Sequence, residues 1–320
     1  MKLIIQIPCL NEELTLGETL AALPRAVAGF DCVEYLVIDD GSSDRTAEVA
    51  RELGVHHVLR LGSNRGLATA FKMGVDYAVS HGADVVVNTD GDNQYCGADI
   101  CLLTAPILSG EADLVVGCRP ILDHPEFGAV KKSLQRLGSC VLRAISRTTV
   151  RDAASGFRAF SREACQRIFI HTQFSYCMET LIQAGNSGLR VGSVDIRVNP
   201  KTRDSRLFKS VWQYITKSGG TILSMFVIYR PGRFFSVLGS LFLATSTLLG
   251  LRFLYLAYIV PVEGRTHIPS LVLLSILGMT SVLMYTLGIL GEISKSQRRL
   301  AEENVYLQRK MLNREPGRGC

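Results

Sequence analysis

The sequence predicts an α/β domain built on a mostly parallel sheet, followed by a C-terminal transmembrane helical hairpin. Three observations carry this. Short apolar runs alternate with helix-period segments through the first 200 residues, the pattern of strands covered on both faces. Residues 234–293 hold almost no charge and contain two stretches close to the ~20 apolar residues that cross a bilayer core. Polar, carboxylate-rich segments follow the apolar runs directly, where ligands of such sheets sit, beyond the carboxyl ends of the strands.

The elements read in order as follows. Strands are expected at Leu3–Ile7, Tyr35–Ile38, Val58–Leu61, Val85–Val87 and Leu114–Val116. Between them lie helices near Leu14–Val27, Thr46–Leu53, Leu67–Val79 and Asp99–Leu108. A basic helix over Lys131–Arg147, a strand near Ser155–Phe160, a helix around Met178–Ala184 and a strand near Val191–Val198 complete a domain spanning 1–206. Residues 199–206 form a basic loop. Residues 207–230 alternate Phe208, Val211, Trp212 and Ile215 with Lys209, Gln213 and Lys217, an amphipathic helix suited to lie in a membrane interface.

Two spans are then expected within 231–293, from about Phe234 to Leu251 and from Ile268 to Leu290. Arg230 and Arg233 precede them, and Lys295, Arg298 and Arg299 follow, which places both termini in the cytoplasm by the positive-inside rule. The tail, 294–320, spaces Ile293, Leu300 and Leu307 by seven, a weak heptad.

A net charge of +6 is too mild to point to nucleic acid, while Lys and Arg beside apolar segments suit an anionic membrane surface or phosphates. Nine cysteines with no CxxC pair read as reduced thiols. The start, MKLIIQIPCLNEE, turns polar too soon for a signal peptide and reads as a first buried strand.

The strongest chemical signal is TDGDNQY. Asp90 and Asp92, two apart at a strand end, can converge on one hard divalent cation such as Mg²⁺ or Mn²⁺, which prefers oxygen ligands and bridges to phosphates. VIDDGSSDRT places Asp39 and Asp40 at another strand end, where adjacent carboxylates are costly unless they bind something. An Asp there can accept from base or ribose groups, and Ser43 or Asp44 can instead cap the next helix.

On these motifs, with IPCLNEE, NRGLATAFKMG, GCR, DAASGFRAFSRE and TRDSRL in the same order over residues 1–210, the chain resembles family 2 glycosyltransferases with a nucleotide-diphospho-sugar-binding (GT-A, Rossmann-like) fold. It looks most like their polyprenyl-phosphate glycosyltransferase and dolichol-phosphate mannose synthase branch. The resemblance implies that Pro8, Asn11, Glu12, Asp39 and Asp40 line a nucleotide, its base uridine in preference to guanosine, and that Asp90, Asp92 and Gln94 hold metal and diphosphate. It implies that Arg119 and Arg203 hold an acceptor phosphate, helped by Lys131, Ser205 and Arg206, since the Arg fork binds phosphate oxygens bidentately. Asp152 would orient acceptor or sugar, or else pair with Arg151 or Arg158. Glu179 would bind a sugar hydroxyl, or be a helix-face carboxylate. Leu10 stands where the family commonly has an aromatic residue, Arg65 where many relatives carry Lys, and Arg206 where the family often has Lys.

The implied activity is one-step inverting transfer from a nucleotide-sugar to a polyprenyl phosphate at the cytoplasmic face of the inner (plasma) membrane. Membrane lipids are the implied surroundings, and a homo-oligomer is compatible with this reading. The rivals are transfer to another lipid or to a polysaccharide, transfer to a soluble or protein acceptor, against which the basic loop leading into the interfacial helix argues, and a non-catalytic membrane scaffold or transport subunit. A processive polysaccharide synthase would carry a Gln-x-x-Arg-Trp segment, and the only Trp here, Trp212, follows Val211.

Overall fold

A computed structural model describes residues 1–120, 146, 148–170, 176–200, 219–220, 223–224, 226–259 and 268–312. The chain divides into two units, one of residues 1–222 with 302–320, the other of residues 223–301.

The first unit is organised by a seven-stranded sheet. Its strands are β1 (Lys2–Cys9), β2 (Cys32–Asp39), β3 (His57–Arg60), β4 (Val85–Asn88), β5 (Leu114–Cys118), β6 (Arg158–Ser161) and β7 (Val191–Asp195), in the order β3-β2-β1-β4-β6-β5-β7. The apolar runs form the central strands because both faces are covered: Leu3, Ile4, Ile5, Ile7, Val85, Val86 and Val87 are wholly buried. Helices α1 (Leu16–Ala22), α2 (Thr46–Glu52), α3 (Leu67–Ser80) and α4 (Ile100–Leu108) follow the first strands, and α5 (Arg162–Arg167) and α6 (Tyr176–Asn186) follow β6. The short α5, N-capped by Ser161 accepting from the Ala164 amide at 3.2 Å, is absent from the sequence expectation.

The sheet is mostly parallel, as expected, but β6 runs antiparallel to both β4 and β5. This reversal matters for the site. It brings the residues entering β6 to the same edge as the residues leaving β1, β2, β4, β5 and β7. Among the described residues every cysteine is a free thiol.

The second unit pairs α7 (Pro231–Leu254), which continues into a π-helical turn at Tyr255–Ile259, with the first part of α8 (Ile268–Leu312). The pair is antiparallel and closed by small residues. Ser246 donates to the Leu274 carbonyl at 2.9 Å, and Ser281 donates to the Gly239 carbonyl at 2.8 Å.

The expectation of a transmembrane hairpin is corrected. Both helices have the length and mean hydropathy of a span, 1.8 and 2.0, but that expectation rested on length and composition alone. With 45 residues, α8 does not end where a span would. At 1.5 Å per residue it extends about 68 Å, over twice a ~30 Å hydrocarbon core. Its last turns, from Glu302, belong to the first unit. Ile293, Leu300 and Leu307 of the weak heptad are all exposed. The amphipathic helix expected over 207–230, with Trp212, lies largely outside the described residues.

Candidate active site

The candidate residues gather at the carboxyl edge of the sheet. Pro8 is buried near the end of β1, and the chain then turns through Asn11 in the left-handed region, with φ of 56°. Asn11 Oδ1 accepts from the Ser43 amide at 2.8 Å, and the Asn11 amide donates to Ser42 Oγ at 2.9 Å. The Glu12 amide donates to Thr46 Oγ1 at 2.9 Å, and buried Glu12 accepts from Thr15 Oγ1 at 2.8 Å. The loops after β1 and β2 are therefore stitched into one surface.

Asp39 and Asp40 are both buried but differ in their contacts. Asp40 accepts from the amides of Arg65 and Gly66 at 2.8 and 2.9 Å, so its oxygens hold the NRG loop. Gly41 makes this closeness feasible: at φ 71°, a Cβ there would stand 2.5 Å from the Ser63 carbonyl carbon. Asp39 Oδ1 accepts from the Ser42 amide at 2.8 Å. Its Oδ2 lies 3.3 Å from Arg60 Nε, at an angle that makes no hydrogen bond.

Asp90 follows β4 by two residues. Burial pushes its carboxyl up to about 7, Asp92 and Glu12 add to the rise, and Arg119 and the Tyr95 hydroxyl oppose it. The wall behind it is Gly156, where a Cβ would stand 2.8 Å from the Tyr176 hydroxyl and 3.2 and 3.3 Å from the two Asp90 oxygens. Gly156→Ala should therefore displace Asp90 and lower turnover about tenfold, roughly 1.4 kcal/mol of transition-state stabilisation. Unchanged kcat in a variant of unchanged melting temperature would show that the Asp90 carboxylate tolerates the shift.

Beneath this wall runs a buried polar chain that the sequence reading missed. Gln6 donates to Asn88 at 2.9 Å, and Asn88 donates to the Gly156 carbonyl at 2.9 Å and to Tyr176 Oη at 3.0 Å. Tyr176 stacks on Phe71 with centroids 4.2 Å apart. A Gln in the middle of an otherwise aliphatic strand was the available signal.

Arg119, just after β5, forms a bidentate pair with buried Asp152, with Nε and Nη2 donating at 2.7 and 3.1 Å. Its guanidinium also feels Asp90 and Tyr95. Neither Arg151 nor Arg158 pairs with Asp152, contrary to one sequence alternative. Arg151 binds Asp195 at 2.6 Å. Arg158 is fully buried and donates to the carbonyls of Ala153, Ser155 and Cys177 and to Thr180. Glu179 is buried on α6.

Gln94 and Asp92 share the loop after β4, where the Gln94 amide donates to Asp92 at 3.3 Å. Asn93, within it, is the other non-glycine residue with φ of 56°. Two elements pin this loop. Thr15 and Thr19 each donate to the Gly91 carbonyl at 3.0 Å. From the far side, Asn199 donates to the Asn93 carbonyl at 2.9 Å, and Arg197 forks onto Asp99 at 2.6 and 3.0 Å. Lys131, Arg203, Ser205 and Arg206 lie outside the described residues.

Among the described residues no three His, Cys, Asp or Glu side chains form a ready-made metal cage. The Asp90–Asp92 pair nevertheless fits a divalent ion. Two crowded carboxylates, one held partly protonated near neutrality, gain by taking a cation whose other ligands are phosphate oxygens and water.

A sheet of this order that presents such carboxylates at its carboxyl edge is the framework of the nucleotide-sugar transferases. Within that class the chain belongs to glycosyl transferase family 2, whose model matches residues 4–169, and it is a glycosyltransferase. It is 28% identical over 212 residues to polyprenol monophosphomannose synthase of Mycolicibacterium smegmatis, covering 60% of this chain and 76% of that one. It is 29% identical over 305 residues to glycosyltransferase AglJ of Haloferax volcanii, covering 91% and 93%. Among solved structures, glucosyl-3-phosphoglycerate synthase of Mycobacterium tuberculosis with Mn²⁺, UDP and glucosyl-3-phosphoglycerate matches at TM-score 0.53 and 20% identity, over 71% of this chain and 78% of that one. The same enzyme is known with UDP-glucose and phosphoglyceric acid, and with Mg²⁺ and UDP. A divalent cation, Mg²⁺ or Mn²⁺, is thus the cofactor of this fold.

The comparison corrects three expectations together: the C-terminal transmembrane hairpin, the polyprenyl-phosphate acceptor and the multi-pass inner-membrane location. The small acid in that enzyme's complex, phosphoglyceric acid, is a three-carbon acid without a lipid tail. Neither a lipid acceptor nor a membrane location therefore follows from these motifs.

Proposed function

We propose that this chain transfers a sugar from a UDP-sugar to a small phosphorylated acid, with Mg²⁺ or Mn²⁺ bound at Asp90 and Asp92. The observation that carries the acceptor class is the Arg119 guanidinium, held by Asp152 at 2.7 Å and near enough to Asp90 to feel its charge. A cation fixed beside the metal carboxylates suits an acceptor anion that must approach the sugar against the charge of the departing diphosphate.

In this reading Pro8, Asn11, Glu12 and Asp39 line the nucleotide, and Asp40 shapes that pocket through the Arg65–Gly66 amides. Gln94 lies beside the carboxylate pair in the same loop. The metal, when bound, neutralises charge on the leaving diphosphate. Arg119 orients the acceptor anion, and Asp152 acts by holding Arg119 rather than by taking a proton.

The test is UDP release by the purified full chain with Mn²⁺ and UDP-glucose, comparing 3-phosphoglycerate with glycerate. The phosphorylated acid should be used at least about tenfold better in kcat/KM, the worth of one charge-assisted contact. Equal use of glycerate, or turnover only with a lipid-linked acceptor, would overturn the acceptor class.

A further inference from the structure

The last turns of α8, from Glu302, are built into the first unit. Arg309, largely buried, pairs with Asp76 of α3 at 2.7 Å. The same guanidinium donates to the Ile168 carbonyl at 2.9 Å and reaches the carbonyls of Gln166 and Cys165 at 3.4 and 3.5 Å. Those are the carbonyls at the end of α5, which α5 itself leaves without helical partners. One turn earlier, buried Tyr306 donates to Glu163 at 2.8 Å.

Two routes lead from this seat to the wall behind Asp90. The first runs through Phe169, whose ring lies under Arg309 at 5.4 Å and under Lys72 at 4.2 Å. The Phe169 amide donates to Gln183 of α6 at 2.7 Å, and Gln183 returns a hydrogen bond to the Phe169 carbonyl. α6 begins with Tyr176, which touches Asn88 and Gly156. The second route runs along α3, which carries both Asp76, the partner of Arg309, and Phe71, the ring stacked on Tyr176. Both routes are made of packed or hydrogen-bonded groups and end on the buried Tyr176.

Taking this site to be the transferase site argued above, we propose that Arg309 is a positioning residue for the reaction, setting α6 and Tyr176 against the Gly156 wall behind Asp90. A carboxylate pair that must meet a diphosphate-bound cation works only within a few tenths of an ångström, so support from outside the catalytic motifs is expected to register in kcat. The C-terminal turns of the chain are then part of the catalytic unit's precision.

The test uses the full chain and three variants. Arg309→Ala removes every contact, Arg309→Lys keeps a charge for Asp76 but cannot fork across the α5 carbonyls, and Tyr306→Phe removes one hydrogen bond. Turnover with UDP-glucose, 3-phosphoglycerate and Mn²⁺ is measured alongside backbone hydrogen exchange. Arg309→Ala should lower kcat about tenfold with donor KM within twofold, and should raise exchange in Tyr176–Asn186 as well as in Arg162–Arg167. Arg309→Lys should recover part of both. If exchange rises only in Arg162–Arg167 and Glu302–Leu312 while kcat holds, Arg309 is a local clasp and the proposal falls. If Arg309→Ala does not fold, the lysine and Tyr306→Phe variants decide by the same two readouts. Absence of any turnover in the unmodified chain would sink the proposed donor and acceptor instead, and the exchange result in α6 would still judge the coupling.

Discussion

Asp90→Asn should lower turnover by roughly 10²–10³-fold and, unusually for a loss of function, make the metal-free protein more stable at alkaline pH. The first effect follows from deleting a carboxylate that takes the diphosphate-bound cation. The second follows from the direction of the Asp90 pKa. Folding raises it from 3.8 to about 7, so between those values the folded state holds a proton that the unfolded chain has released. Stability therefore falls as pH climbs from about 4 to about 7 and stays lower beyond. The rise sets an upper bound of about 4 kcal/mol, which partial solvent access reduces to roughly 1–2 kcal/mol, or a few degrees of melting temperature. Asparagine removes that cost, so the variant should melt higher than the parent at pH 8 and alike at pH 4. Metal binding displaces the same proton, so Mn²⁺ affinity of the parent should strengthen up to about pH 7 and then level. Equal melting temperatures of the metal-free proteins at pH 8 would show that the carboxylate pair is not strained as described.

Asp152→Ala should cost about a hundredfold in kcat, because it leaves the Arg119 guanidinium without the carboxylate that fixes it. The two readings of Asp152 separate cleanly. A general base would leave its mark on the acid limb of the pH–rate profile, and its removal would erase that limb. A residue that only holds Arg119 leaves the limb in place and is redundant once Arg119 is gone. The Arg119→Ala and Asp152→Ala double variant should therefore be no worse than Arg119→Ala alone. Fully additive losses, or loss of the acid limb in Asp152→Asn, would make Asp152 a direct participant.

What the sequence disclosed and what it withheld divide along a physical line. Local signals were legible. The run Val85–Val87 ahead of Asp90 announces a buried strand ending in carboxylates, and the same logic placed Asp39 and Asp40. Partnerships across the fold were not. Arg119 and Asp152 are 33 residues apart, while Arg151 and Arg158 sit nearby in sequence and find other partners. Fully buried Arg158 has no local signature, because its acceptors are mostly carbonyls, which any sequence offers. The reversed strand β6 was equally hidden, since a short apolar run does not state its direction. The helical pair was misread for the opposite reason. Apolar composition spoke clearly, and composition alone cannot tell a span from a long helix whose end docks on a catalytic domain.

The clasp on the metal loop has a consequence for how the protein comes into being. Asn93 and Asp99 receive their partners from Asn199 and Arg197, about a hundred positions downstream. At roughly 5–20 residues per second on the ribosome, that partner segment follows several seconds behind the loop it must secure. The early strands meanwhile have what they need to begin pairing, since β1, β2 and β3 are neighbours in both sequence and sheet. The nascent chain thus acquires its framework well before its competence, and remains chemically silent until the segment around Arg197 and Asn199 has emerged.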